Sequence, residues 1–177
     1  MKWVTRERVH LDRVACPWLI TRFIDPAAEF LFLATGHEDD RPADAIPFAL
    51  PGVELGPHDH DGPTFLKLMR KYQLADPALT VMADIIASGI AFALDQHTTV
   101  QQKYPEGLGL NALSEGMIFF AANDRENLEK SMSLFDALYT YCKAKVIESE
   151  QPAILQKPFG ERLAILKSEI AARWPRK

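Results

Sequence analysis

VHLDRVACPWLITRFIDP, residues 9–26, decides the fold, because charged side chains at its start lead directly into an apolar run. Pro17 has a fixed φ and no N–H, so it fits best in a first helical turn. Asp12 is then a suitable N-cap, since its carboxylate can accept the free backbone N–H groups of that turn. Asp25 precedes a proline and is pushed out of the α region, which ends the element. The stretch predicts a largely buried helix over about 13–24.

The same stretch resembles the opening of the ChrB domain, the chromate-resistance protein family. Two later segments agree with that family: His58 followed by Thr64 and Phe65, and the run LFDALY at 134–139. Together the three segments span about 5–145. The resemblance implies a role in chromate resistance, in some members as a chromate-responsive regulator. It also implies chromate as the small anionic ligand.

Composition limits the class of protein. The chain has 177 residues, 47% of them hydrophobic and 25% charged, which is typical of a globular protein, and 1–177 is expected to form one domain. A formal net charge of −4 and the lack of a basic stripe argue against autonomous nucleic-acid binding. We find neither a signal peptide nor an apolar run of membrane-spanning length, and expect a cytoplasmic protein without membrane association. Cys16 and Cys142 are expected to be reduced thiols.

The hydrophobic pattern predicts a mainly α, α+β fold: a single helical domain with a small N-terminal β-sheet of two or three short strands. The strand candidates lie within about 28–55, and Pro47 confines one of them to a sheet edge. From 63 to 174 the apolar residues recur at helical spacing. The predicted strands are 28–33, 45–50 and 52–55, and the predicted helices are 64–72, 77–97, 105–120, 125–148 and 160–174. Asp76 and either Asn123 or Asp124 are the expected N-caps of two of these helices.

The loop ELGPHDHD, residues 54–61, concentrates side chains that bind metals. Imidazole and carboxylate ligands without nearby thiols suit Fe, Mn or Zn. We therefore expect His58 as the leading metal ligand and Glu54 as a carboxylate ligand, with His60 as a further ligand-binding residue. The alternative is an acidic, solvent-exposed turn whose residues serve the backbone geometry.

Two further groups of candidates lie on the first and a late helix. Arg13 has a planar, five-donor guanidinium suited to chromate or another oxyanion, with His10 beside it and Asp12 as a metal ligand or an orienting group. Asp136 and Tyr139 are three residues apart on a helix and share one face. A buried Asp136 requires a cation or a hydrogen-bond donor, and a metal ion or Arg13 would serve. We therefore expect Asp136 as a metal ligand or an orienting group and Tyr139 as a ligand-binding residue. The alternatives are structural ion pairs for the arginines and an exposed Asp136.

These groups predict one polar pocket between the start of the first helix, the His58 loop and the Asp136 helix. In the first interpretation the pocket senses or sequesters a metal ion or an oxyanion, as the family resemblance implies. In the alternative it is a metal-dependent enzyme, with Fe, Mn or Zn activating water or oxygen or polarising a small substrate. Whether the chain is an enzyme stays open at this point, as does a homodimer.

Overall fold

The computed structural model describes residues 1–96 and 99–175 and confirms the predicted α+β, mainly helical fold. Three short strands form one parallel sheet in the order β2-β1-β3, with β1 at Lys2–Arg6, β2 at Glu29–Leu33 and β3 at Ala45–Pro47. The α-helices in the described residues are α1 (Asp12–Leu19), α2 (Thr64–Lys71), α3 (Pro77–Ala93), α4 (Thr99–Lys103), α5 (Glu106–Phe120), α6 (Asp124–Glu150) and α7 (Phe159–Arg173).

The central strand β1 is one that the sequence pattern did not predict. Trp3, Val4 and Thr5 are completely buried, so successive side chains on both faces of β1 are covered. A strand buried on both faces lacks the polar–apolar alternation by which a half-exposed strand is detected. Lysine and arginine at its two ends made this five-residue run read as a charged chain start.

The other strand predictions are partly correct. β2 occupies the predicted run 28–33, but it lies at a sheet edge and is only half-buried. β3 is shorter than the predicted run 45–50 and lies at the opposite edge, as Pro47 requires. The third predicted strand, 52–55, is wrong, because Gly52 has a φ of +72° and the chain turns there.

The first helix covers the predicted range but begins differently. Asp12 is the first helical residue of α1 instead of its N-cap, and Pro17 lies in the second turn instead of the first. The helix continues as a π-helical turn, Ile20–Ile24, closed by a bond of 2.7 Å from the N–H of Asp25 to the carbonyl of Ile20. Asp25 is extended, which confirms the predicted helix end.

The caps of two long helices follow the sequence prediction. The Asp76 carboxylate accepts the N–H of Ala78 at the start of α3. The side chain of Asn123 accepts the N–H of Glu126 at the start of α6. The prediction that α3 extends to His97 falls partly outside the described residues, and α3 itself ends at Ala93. Helices α2, α5, α6 and α7 begin and end within a few residues of the predicted positions, whereas α4 was not predicted.

α1 runs through the centre of the molecule. It contacts α2, α3 and α6, and every residue of α1 except Arg13 is buried. A smaller apolar cluster joins α7 to the end of α6 through Ile147, Ile154 and Leu166. Because the middle of α1 is enclosed by other helices, charged side chains of this helical element lie only near its start, at Asp12 and Arg13, and in the π-helical turn, at Arg22.

In the described part of the chain, no helix is both long and apolar enough to cross a membrane. Both cysteines are buried and unpaired, which confirms the expected free thiols. Cys16 donates its S–H to Asp12 at 3.4 Å, and burial raises the pKa of this thiol well above its usual value. Burial likewise raises the pKa of Cys142 to about 12. Neither thiol is therefore a reactive thiolate at neutral pH.

Candidate functional site

A cavity of about 340 Å³ opens at the start of α1, and we call it the histidine cavity. Its apolar wall comes from the last turn of α3, including Ile90. Its polar wall comes from the β1–α1 connection and the loop before α2. The polar side chains that line it are Arg6, His10, Asp12, Arg13 and His58.

Asp12 caps a helix, but the helix is α2 instead of its own. Its carboxylate accepts the N–H of Thr64 at 2.6 Å and the N–H of Phe65 at 3.0 Å, which are the first two residues of α2. Burial raises the pKa of Asp12, while these bonds and that from Cys16 lower it. Asp12 therefore fastens α1 to α2 and satisfies helix-terminal donors that the proline before α2 leaves uncapped.

Arg13 holds the β1–α1 connection in place. Its guanidinium donates to the carbonyl oxygens of Arg6 at 3.3 Å, Glu7 at 3.0 Å and Arg8 at 3.2 Å. Arg8 and Leu11 in this connection have positive φ angles of 57° and 45°, so the turn needs such support. The three bonds leave Nε–H and one further N–H of Arg13 without a partner among the described residues.

Two histidine nitrogens of the cavity also lack partners. Nε2 of His10 and Nδ1 of His58 are buried and make no hydrogen bond to any described residue. Burial chiefly lowers the pKa of His10, Glu115 raises it and Arg13 lowers it. The side chain of Asn111, whose Oδ1 is also buried and unpartnered, raises the pKa of His10. Because buried polar atoms are normally paired, two such nitrogens on one cavity mark a place for a polar ligand.

The loop that carries His58 is fixed at its base. The Thr64 hydroxyl donates to the carbonyl of Gly56 at 2.8 Å, and Lys67 donates to the carbonyl of Pro57 at 2.9 Å. Lys67 also pairs with Asp59 at 2.6 Å. These contacts position His58 from α2, the helix that Asp12 caps.

Two predicted site residues of this loop point away from the histidine cavity. Glu54 pairs with Lys71 on α2 and lies on a separate surface depression. His60 is exposed and lies 3.4 Å from Asp61. In the ranges 1–96 and 99–175, the one trio of ligand atoms within 4.8 Å of one another belongs to Asp59, His60 and Asp61, all exposed.

A second cavity, of about 560 Å³, opens where α1 ends, and we call it the aromatic cavity. Asp136 lies here instead of facing His58. Arg22 holds it with two bonds, at 2.9 and 2.7 Å, and the Trp18 indole donates a third at 2.8 Å. The bond from Arg22 is the main cause of the lowered pKa of Asp136. The cation that Asp136 requires is therefore Arg22, not Arg13, and the predicted single pocket is wrong.

Tyr139 belongs to the aromatic cavity as well. Its hydroxyl donates to Asp76 at 2.5 Å, and Trp174 donates to the same carboxylate oxygen at 3.0 Å. Burial and the Asp76 carboxylate raise the pKa of Tyr139. Lys143 lies with its ammonium 4.0 Å from the Tyr139 ring centre and 5.7 Å from that of Trp174.

Several cavity residues escaped the sequence analysis. Lys143 follows Asp136 by seven residues and Tyr139 by four on α6, so helical spacing alone would have placed it on their face. Asp76 was interpreted only as an N-cap, although one oxygen caps α3 and the other receives Tyr139. Arg6 was not identified as a candidate site residue, because the strand that carries it was not predicted.

The sequence comparisons bear on the first cavity more than on the second. The model of a family described as ChrB, C-terminal domain, matches residues 3–142. Protein ChrB of Cupriavidus metallidurans is 35% identical over 143 residues, which are 79% of this chain and 40% of the relative. The chain thus spans about 40% of the length of that curated relative. No solved structure matches the chain. The histidine cavity lies within the matched residues, whereas Lys143 and Trp174 follow them.

Proposed function

The chain belongs to the family of ChrB C-terminal domains, a family of chromate-resistance proteins, and we propose that its histidine cavity binds a small oxyanion such as chromate. The observation that carries the proposal is that two histidines with a buried, unpartnered ring nitrogen, His10 and His58, both line one cavity. An imidazole nitrogen that carries a proton is a hydrogen-bond donor, and an oxyanion accepts several such bonds at once.

The charge of the cavity favours an anion. Arg6 and Arg13 line it, and Asp12 is its one acidic side chain among the described residues. The Asp12 oxygens already accept two backbone N–H groups and the Cys16 thiol. The free Nε–H of Arg13 adds a charged donor, and charge-assisted bonds are about twice as strong as neutral ones.

A sensing role fits the position of the cavity. Its walls come from the β1–α1 connection, the His58 loop and the end of α3, so a bound anion would link three segments. A ligand that binds a folded arrangement stabilises it relative to looser ones. We propose that this domain reports the anion to the rest of a longer protein in a cytoplasmic chromate response.

A first-row metal ion stays a prediction. His58 and Asp12 line the histidine cavity, whereas Glu54 and Asp136 lie on two other depressions. Three ligands close together are the usual minimum for a catalytic Zn site, and His58, Asp12 and His10 do not form such a group. The metal-dependent enzyme requires that ion, so both hypotheses share one test.

The test is calorimetric titration with sulfate and with chromate. Sulfate is tetrahedral, doubly charged and not oxidising, so it reports binding without thiol chemistry. We expect both anions to bind, and His10→Ala and His58→Ala each to weaken binding by about tenfold. His60→Ala is the matched control, because His60 is exposed and lies outside the cavity, and its affinity should equal that of the unchanged chain.

Elemental analysis of tag-free protein separates the anion from the metal. Absence of binding, or equal losses in the His58 and His60 variants, would exclude the oxyanion site. About one equivalent of Fe, Mn or Zn that disappears in His58→Ala would replace it with a metal site. Retention of native circular dichroism in each variant shows that the fold itself is unchanged.

A further inference from the structure

The aromatic cavity contains two carboxylates, and every oxygen of both already accepts a hydrogen bond from the protein. Asp136 receives Arg22 and the Trp18 indole, and Asp76 receives Tyr139 and Trp174 besides its cap bond. Each carboxylate thus accepts three hydrogen bonds from the protein. The charge of Asp136 is paired with Arg22, whereas Asp76 accepts only uncharged donors and makes no ion pair with a described residue.

Lys143 is the cationic group left over. It makes no hydrogen bond or ion pair with a described residue and lies over two aromatic rings. Burial lowers the pKa of Lys143, while Asp76 and Asp136 raise it. The other two cations are engaged elsewhere, Arg22 by Asp136 and Arg173 by Glu150 and Glu169. A half-buried ammonium without a carboxylate partner is a binding point for an anion.

Aromatic side chains provide the rest of the wall. The rings of Trp18, Phe23 and Tyr139 contact one another with centres 5.4 to 5.6 Å apart. Trp174 also lines the cavity, with its ring centre 5.7 Å from the Lys143 ammonium. Flat aromatic molecules pack against such rings by offset or edge contacts. A volume of about 560 Å³ lies within the range of small-molecule sites.

We propose that the aromatic cavity binds a small aromatic carboxylate, whose anionic group pairs with Lys143 and whose flat body packs between the Trp18–Phe23–Tyr139 cluster and Trp174. The ligand class follows from the one unpaired cation and the ring-lined wall. The site is separate from the histidine cavity and does not depend on oxyanion binding there.

The test uses 1-naphthoate and its neutral counterpart 1-naphthamide, titrated calorimetrically. We expect 1-naphthoate to bind and to lose about tenfold or more in affinity in Lys143→Met, with the amide weak and unaffected. Lys145→Met is the matched control, because Lys145 lies on the same helix and pairs with Glu148 outside the cavity. Lys143→Arg keeps the charge and should keep most of the binding.

Indole signals give a second, site-specific measurement. The chain has three tryptophans, and Trp18 and Trp174 donate their indole N–H groups to cavity carboxylates. In a ¹⁵N–¹H correlation spectrum, 1-naphthoate should move these two signals and leave that of Trp3 in place. Equal affinity for the two naphthalene compounds, a binding loss in Lys145→Met equal to that in Lys143→Met, or no signal change at millimolar ligand would overturn the proposal. Sulfate affinity in Lys143→Met checks the histidine cavity independently.

Discussion

The helical element formed by α1 and its π-helical turn has a cavity at each end, and the charged side chains of the two cavities are bonded in different ways. At the start of α1, Asp12 and Arg13 bond almost entirely to backbone groups, and the two histidines beside them are unpaired. Beyond its end, in the π-helical turn, Arg22 bonds to a side chain, Asp136, at a half-exposed site. Charges that hold backbone in the interior serve the fold, whereas charges that pair at the surface can be exchanged at low cost. The hydrogen-bond donors without a protein partner, on the histidines of one cavity and on Lys143 of the other, therefore indicate where a ligand would bind.

The largest expected effect separates the two aspartates. Asp12→Ala removes the cap of α2 and leaves two buried N–H groups unpaired, so we expect a loss of about 2–4 kcal/mol in the free energy of unfolding. Asp136→Ala breaks a half-exposed ion pair and leaves the Trp18 indole N–H unpaired, so it should cost about 1–2 kcal/mol. Urea denaturation of both variants measures the difference. Asp12→Asn keeps one acceptor oxygen and should fall between them. Equal losses for the two alanine variants would refute the contrast.

A smaller effect is expected for the two arginines. Arg13→Gln removes three bonds to backbone carbonyls in a strained connection, and we expect it to lower the free energy of unfolding by about 2 kcal/mol. Arg22→Gln should lower it by under about 1 kcal/mol, since Arg22 and Asp136 are both half-exposed. The midpoint of urea unfolding at an unchanged slope is the measurement. If Arg22→Gln proved the more damaging, the pair at the end of α1 would be a core interaction.

The smallest effect is a pH dependence confined to the histidine cavity. The pKa of His10 is lowered by burial, so the unfolded chain binds its proton more readily and the folded state loses stability as the pH falls through about 6.5. A bound anion favours the protonated ring, so sulfate affinity should rise severalfold between about pH 8 and pH 5.

Titrations in two buffers of different ionisation enthalpy will show whether a proton is taken up with sulfate. 1-Naphthoate binding should stay constant over the same pH range, because no histidine is among the described residues that line the aromatic cavity. If sulfate affinity of the unchanged chain does not vary with pH, His10 is not the group that takes up the proton. If the variation is present in the unchanged chain and absent in His10→Ala, the assignment to His10 is correct.

What could be predicted from the sequence was local. The caps at Asp76 and Asn123 and the end at Asp25 depend on neighbouring residues, and the structure confirms them. Four of the predicted site residues, His10, Asp12, Arg13 and His58, line one cavity, and their roles stay predictions.

The errors concern contacts between distant segments. Asp12 was expected to cap its own helix, because nothing in the sequence reports that the start of α2, 52 residues on, lies against it. Asp136 was expected near Arg13, whereas Arg22 is the arginine within reach on the same helical element. The sequence shows that a buried carboxylate needs a partner, but it does not show which of several arginines lies close enough to be that partner.

The π-helical turn Ile20–Ile24 makes the second cavity sensitive to chain length. A π turn closes its hydrogen bond over one residue more than an α turn, and that residue rotates everything after it by about 100° relative to a continuous α-helix. Arg22 reaches Asp136 in that rotated frame. Deleting Thr21 would restore the α repeat and turn the guanidinium of Arg22 and the ring of Phe23 away, although the cavity side chains outside this turn would remain. Relatives that differ by a single-residue insertion or deletion here would therefore keep the histidine cavity and lose the aromatic one.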